Sequence, residues 1–180
     1  GIDITQRGSG NIGATNVTRE LGFKWGILTL VLDVLKALIP LFIFACYAPQ
    51  SCASNEMLVS GIGLCALLGH QFSVFQRLRG GKGVATAFGI YLGTSILTLL
   101  SCLIAVPLFF LIVNKWKYVS LGSMVSASAM PVLLLFFGGS HTIVIASLII
   151  AALICIKHRD NIERLLKGEE KKWKAGQANS

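Results

Sequence analysis

Three features of this chain predict an all-α, polytopic integral membrane helix bundle: an apolar majority, apolar runs of bilayer length, and basic residues gathered in the short segments between those runs. Hydrophobic residues make up 54% of the sequence and charged residues only 13%, whereas a soluble domain carries about 25% charged residues. That balance argues against a water-soluble fold. The net charge of +8 does not point to nucleic acid, because the basic residues sit at the ends of apolar spans, where anionic lipid attracts them. The lipid bilayer is the expected partner.

The basic residues also order the spans. Lys and Arg fall in four clusters, at 7–24, 77–82, 115–117 and from 157 onward, with Lys36 alone outside them. If every cluster faces the cytoplasm, each interval holds an even number of crossings. The first interval divides into spans at 27–48 and 57–75, joined by a loop without Lys or Arg. The last, 118–156, divides at Gly138-Gly139-Ser140-His141 into two helices close to the roughly 20 residues a bilayer needs. The middle interval, 84–114, is short for two spans and breaks at Gly93-Thr94-Ser95, which predicts two short helices. The sum is six spans in one domain over residues 1–180, with both termini and every polar stretch cytoplasmic. The chain begins without Met, so an upstream segment is expected. Cys46, Cys52, Cys65, Cys102 and Cys155 have no C-x-x-C spacing and read as buried small hydrophobes.

Three polar stretches interrupt the apolar background. The first contains Gly8-Ser9-Gly10-Asn11-Ile12-Gly13, which matches G-x-G-x-x-G, but a membrane span follows it and Asp33 falls inside that span, so a dinucleotide fold does not fit. What remains is a loop rich in backbone donors, with the side chains of Ser9, Asn11, Thr15 and Asn16 and with Arg19 as an anion clamp. Taken alone, such a loop could equally be a simple turn. The second, Arg77-Leu78-Arg79-Gly80-Gly81-Lys82-Gly83, opens the next helix, and glycines plus Lys82 at a helix start suit an anion. It is not a Walker A loop, because no Ser or Thr follows Lys82. In the third, His158, Asn161 and Arg164 share a helix face and could point back at the other loops.

Asp33 and Lys36 lie within an apolar span, where each costs about 2.5 to 3.5 kcal/mol on insertion scales. Their i,i+3 spacing predicts an ion pair facing the bundle interior, or a polar lining beneath the loops. His70 and His141 have no readable partners, and no carboxylate or His/Cys cluster calls for a metal or other cofactor. The end of the chain, Lys171-Lys172-Trp173-Lys174, reads as an interfacial anchor.

Together the three stretches resemble those of the bacterial acyl-phosphate:glycerol-3-phosphate acyltransferases. The similarity runs through Gly8 to Arg19, through Gly69-His70 and Gly80-Gly81-Lys82-Gly83-Val84-Ala85-Thr86, and through His158-Arg159-Asp160-Asn161-Ile162-Glu163-Arg164-Leu165-Leu166. Members of that family look like seven-span proteins with a helix before the first motif, and Ser73 stands here where they usually have Pro.

The resemblance implies transfer of a fatty acyl group from acyl phosphate to the 1-hydroxyl of sn-glycerol 3-phosphate in the bacterial inner membrane. The products are lysophosphatidic acid and phosphate. It implies that Ser9 and Arg19 contact substrate phosphate or position the hydroxyl, within a first cradle of Gly8, Gly10, Asn11, Gly13, Thr15 and Asn16. Gly80, Gly81 and Gly83 around Lys82 form a second cradle, and His158 with Asn161 orients the reacting groups. Gly168 and Glu169 hold the third motif in place. An acyl phosphate has a good leaving group, so neither a nucleophilic Ser nor a metal is required. The proton acceptor is His158 or a substrate phosphate oxygen. A transporter for a phosphorylated metabolite is the alternative that cationic glycine-rich loops leave open, although transporters usually bind near the bilayer midplane and often show repeats.

Overall fold

The computed structural model describes residues 2–53 and 55–173, and no strand occurs among them. A 3₁₀ turn at Ile4–Gln6 precedes α1 (Ala14–Leu21), α2 (Phe23–Tyr47), α3 (Gln50–Ala53), α4 (Glu56–Gln71), α5 (Val84–Thr94), α6 (Ile96–Trp116), α7 (Val119–Phe136), α8 (His141–Lys157) and α9 (Arg159–Leu166). By length and composition α2, α6, α7 and the stretch Glu56–Gln76 can each cross a membrane, and α8 with α9, bent by 59°, makes a fifth candidate. Lys174, in the expected interfacial anchor, lies outside the described residues.

The middle interval breaks where the sequence predicts, but unequally. Ser95 accepts from the backbone N–H of Thr98 while the Thr98 side chain accepts from that of Ser95, a reciprocal cap. The Thr98 hydroxyl also donates to the Tyr91 carbonyl at 2.6 Å, satisfying the end of α5. This cap assigns the apolar residues after Ser95 to one 21-residue helix, through Pro107. The expectation of two short helices therefore holds only for α5. With 11 residues, α5 is about 16 Å long, roughly half the hydrocarbon thickness. The glycine loop before it accordingly lies inside the bundle, against the end of α4.

The long helices close a ring: α2 packs on α5, α5 on α6, α6 on α7, α7 on α8, α8 on α4, and α4 back on α2. Ala37, Leu67, Ile90, Met130, Ile150 and Ile154 meet in the middle. Gly89 and Gly93 make the α2–α5 contact possible. A Cβ on Gly89 would strike the Val34 carbonyl, and one on Gly93 would lie 3.1 Å from both Leu38 and Leu41; small residues four apart let helix backbones approach. At the end away from the glycine loops, Asn55 caps α4 and Ser140 caps α8. The Ser140 hydroxyl also donates to the Glu56 carboxylate, joining the two helix starts.

Two expectations about burial need correction. Cys102 is buried, but Cys46 and Cys65 are exposed on the bundle surface, because a lipid-facing helix side accepts a small thiol as readily as a core does. Lys36 pairs with Asp33 at 2.7 Å as expected, yet only Asp33 is buried; the Lys36 side chain is 49% exposed. Its long stem carries the ammonium to the edge of the packing.

Gly89 and Gly61 provide a matched test of the packing. Gly89→Val should destabilise the protein by about 1–3 kcal/mol through overpacking against α2. Gly61, with open space around its Cβ position, should tolerate Ala and gain about 0.5–1 kcal/mol of helix stability. Thermal unfolding in detergent checks both directions.

Candidate active site

Each polar stretch is held by a different buried side chain. In the first loop the organiser is Asn16, 3% exposed. Its Oδ1 accepts from the Ser9 N–H at 2.9 Å, and its Nδ2 donates to the carbonyls of Asn11 at 2.9 Å and Arg7 at 3.1 Å. These bonds fold the loop over the start of α1 and involve only the Ser9 backbone, so its hydroxyl is not used in holding the loop.

The second loop is held by the end of α4. Gln71 is fully buried, and its Nε2 donates to the Lys82 carbonyl at 2.9 Å. Gly80 and Gly81 pass so close that a Cβ on either would collide with the His70 carbonyl or the His70 ring, and Gly83 takes a left-handed φ of 84°. His70 is itself buried, with its Nδ1 3.5 Å from the Asp33 carboxylate. The expected buried acid, brought over from α2, is thus a close neighbour of His70, without a hydrogen bond between them.

The third stretch bends at His158. The His158 Nδ1 lies 2.8 Å from the Ile154 carbonyl. A carbonyl only accepts, so Nδ1 carries the proton and Nε2 keeps its lone pair. Beyond α9, Gly168 turns the chain with φ 72°, and the Glu169 N–H returns to the Arg164 carbonyl at 2.8 Å. The carboxylate that fixes the motif, however, is Glu170, and Glu169 is exposed. Glu170 Oε1 accepts from Asn161 Nδ2 and from the Ser120 hydroxyl, each at 2.7 Å. Its Oε2 accepts from Arg164 Nε at 2.9 Å.

These three assemblies open into one cavity of about 450 Å³. At its polar end Lys82 Nζ donates to Asn161 Oδ1 at 2.5 Å, and Arg19 donates to the Lys171 carbonyl at 3.1 Å. Burial pushes the Lys82 ammonium down to about 8, against the attraction of Glu170. Burial and the neighbouring Lys82 charge push His158 down to about 4, so its imidazole is neutral at neutral pH. For Glu170, burial alone would raise the pKa, but the hydrogen bonds from Ser120, Arg164 and Asn161 outweigh it and hold the carboxyl below its ordinary value. The polar end therefore groups three cations, Lys82, Arg19 and Arg164, around the Glu170 carboxylate, and Lys171 and Asp33 also line the cavity.

Backbone donors add to that field. The first residues of α1 and α5 line the cavity, and neither helix has a side-chain cap, so their free N–H groups face it. Away from that end the wall is mostly apolar, with Phe88, Cys102, Val106, Ala127 and Met130 interrupted by Asp33, His70, Tyr91, Ser123 and Ser126, and it reaches the bundle surface at the exposed Leu30 and Phe110. Of the residues expected at the site, Gly8, Ser9, Asn11, Gly13, Thr15, Asn16, Arg19, Lys82, Gly83, His158 and Asn161 line this cavity. Gly10, Gly80 and Gly81 do not; they shape the loops behind it. Arg164, expected on the face of the third stretch that points back at the other loops, lines the cavity as well; sequence reasoning missed Ser120, Glu170 and Gln71. The i,i+3 run Ser120, Ser123, Ser126 in an otherwise apolar helix was a readable signal for a polar cavity wall. Among the described residues no three His, Cys, Asp or Glu side chains gather as a metal site.

Comparison with known proteins follows the same lines. The sequence model of the glycerol-3-phosphate acyltransferase family matches residues 1–168. A glycerol-3-phosphate acyltransferase of Geotalea daltonii is 48% identical over 174 residues, covering 97% of this chain and 86% of that protein. Another, from Trichlorobacter lovleyi, is 45% identical over 175 residues with the same coverage. The crystal structure of PlsY, an integral membrane glycerol 3-phosphate acyltransferase, in its glycerol 3-phosphate form matches with a TM-score of 0.87 at 38% identity, over 97% of this chain and 84% of that one. Its lysophosphatidic acid form matches with a TM-score of 0.82. This chain belongs to the glycerol-3-phosphate acyltransferase family.

Proposed function

We propose that this membrane acyltransferase takes its fatty acyl group from acyl phosphate and moves it to the 1-hydroxyl of sn-glycerol 3-phosphate, releasing lysophosphatidic acid and inorganic phosphate. The observation that carries the reading is the composition of one cavity: three cations and two uncapped helix starts at one end, and an apolar wall reaching the bundle surface at the other. Such a cavity suits two phosphates and one acyl tail. The four basic clusters support a bundle with this end at the cytoplasmic face of the bacterial inner membrane, alongside up to five stretches able to cross and a half-length α5.

The roles follow from position. Arg19, the Ser9 hydroxyl and the start of α1 take one phosphate, and Lys82 with the start of α5 takes the other. Attack joins the glycerol oxygen to the acyl carbonyl carbon and breaks the bond from that carbon to the phosphate oxygen. The displaced phosphate leaves as an anion, and the cationic end stabilises both it and the developing oxyanion. Neutral His158 offers Nε2 as the protein's acceptor for the hydroxyl proton, while Asn161 holds Lys82 beside it. No covalent enzyme intermediate is needed, because the donor is already activated.

Supplying palmitoyl phosphate or palmitoyl-CoA with radiolabelled glycerol 3-phosphate tests the donor. Lysophosphatidic acid should form from acyl phosphate alone, without added metal; product from the thioester alone would overturn the assignment. Lys82→Ala should raise KM for a phosphate substrate about ten- to a hundred-fold, the scale of one lost charge-assisted hydrogen bond. In the wild type, kcat/KM should fall as the pH rises through about 8, because the empty site's Lys82 loses its proton there. Lys82→Arg, which stays charged, should remove that alkaline limb. His158→Ala should lower kcat roughly a hundred-fold or more with little change in KM. A drop of only a few-fold would assign the proton to a substrate phosphate oxygen instead.

A further inference from the structure

Between the end of α4 and the Lys82 cradle, the chain turns its apolar side chains outward. Phe75 is 93% exposed, Val74 73% and Leu78 58%, with Arg77 and Arg79 exposed among them. The turn is built rather than loose. The 3₁₀ segment Val74–Gln76 is followed by two left-handed residues, Arg77 at φ 49° and Leu78 at φ 63°. The Leu78 and Gln76 N–H groups both return to the Ser73 carbonyl, at 2.9 and 3.0 Å. The backbone thus presents Val74, Phe75 and Leu78 to the outside, where none of the described residues covers them.

We propose that residues 72–79 form an interfacial finger that seats in the lipid headgroup layer, with Val74, Phe75 and Leu78 at the acyl-chain boundary and Arg77 and Arg79 on the phosphates of anionic lipids. Three observations favour a lipid surface over a soluble partner. The finger closes the membrane-spanning stretch Glu56–Gln76 and runs past its end to Arg79, so it sits at the bilayer boundary. It alternates large apolar and basic residues, the composition of interfacial segments. It also contains no acidic residue between Phe72 and Arg79, so its charge complements anionic headgroups.

The finger is mechanically connected to the site on both sides. Arg79 directly precedes Gly80 and the loop that carries Lys82. Phe72, at its other end, packs under the Lys157 ammonium 4.3 Å from its ring centroid, next to His158. Anionic lipid held by the finger therefore steadies both cradle and bend, and activity rises with its fraction in the membrane.

The test places a Trp at the tip. Phe75→Trp is reconstituted in phosphatidylcholine vesicles with or without phosphatidylglycerol, and its emission is taken as the increment over the parent chain. The expected result is emission quenched by lipids brominated in the acyl chain, more strongly with phosphatidylglycerol present. Arg77→Gln/Arg79→Gln in that background should cut the phosphatidylglycerol effect, by about five-fold for each arginine at roughly 1 kcal/mol per basic residue. A tip quenched by aqueous acrylamide and not by brominated lipid overturns the proposal and leaves a surface for a soluble partner. This readout does not require turnover, so it stands or falls separately from the donor assignment. In active preparations, acyl transfer by the wild type should increase with phosphatidylglycerol while the double arginine variant stays flat; the same rise in both would also overturn it.

Discussion

The Glu170 carboxylate is the interaction on which the rest of the site depends. It is 7% exposed and ties together groups from three places: Ser120 on α7, Asn161 and Arg164 on α9, and through Asn161 the ammonium of Lys82 in the α4–α5 loop. The next residue, Lys171, supplies the carbonyl that receives Arg19 from α1. Without this knot, three like charges would face one another across a cavity of low dielectric, where unpaired charges repel strongly and are costly to bury. The Glu170 carboxylate lowers that repulsion but does not cancel it. The positive charge that remains attracts phosphate, so the empty site is stable enough to form and still electrostatically unsatisfied.

The short α5 explains how a loop between two helices becomes part of a buried cavity. A helix crossing the full hydrocarbon layer would have carried Gly83 out to the membrane surface, where water weakens a lysine's pull on phosphate. With about 16 Å of helix, the chain instead returns to the bundle early and rests Gly80 and Gly81 on His70. Only glycine fits there, since a Cβ would meet the His70 carbonyl or ring. The cost is visible on Lys82, whose ammonium is pushed down to about 8 by burial. Arriving phosphate restores the charged form, so binding energy and protonation are linked at this residue.

Most of the architecture was legible in the chain, for identifiable reasons. Apolar length and the placement of Lys and Arg mark the helices and turns, and Ser95 with Thr98 is a local cap readable without any partner. The unequal division of residues 84–114 was not legible from length alone; it followed from that cap and from the tolerance of α6 for Pro107. The three motifs were readable because glycine, Lys, Arg and Asn are conspicuous against an apolar background. Glu170 was not, because its neighbour Glu169 carries the same chemistry and only the turn at Gly168 decides which of them points inward. Asp33 announced itself by its cost in an apolar span, whereas its approach to His70 depends on α2 packing against α4. Ser120 is a small polar residue at a helix start, and its role needed the fold.

The joining of a cationic end and an apolar wall in one cavity also bears on which acceptor reacts. An activated acyl donor would be hydrolysed by any water that reached its carbonyl carbon in a productive position. In the proposed mechanism the reaction centre lies where the two linings meet. On one side, phosphate-binding groups hold the acceptor hydroxyl near the carbonyl, an advantage that proximity can make worth several kcal/mol. On the other, Phe88, Val106 and Met130 give water no hydrogen-bond partner. Water is disfavoured by the wall, and the glycerol hydroxyl is favoured by a phosphate that water lacks. Selectivity between them thus arises from the same anion cradle that binds the substrate, and needs no separate gate.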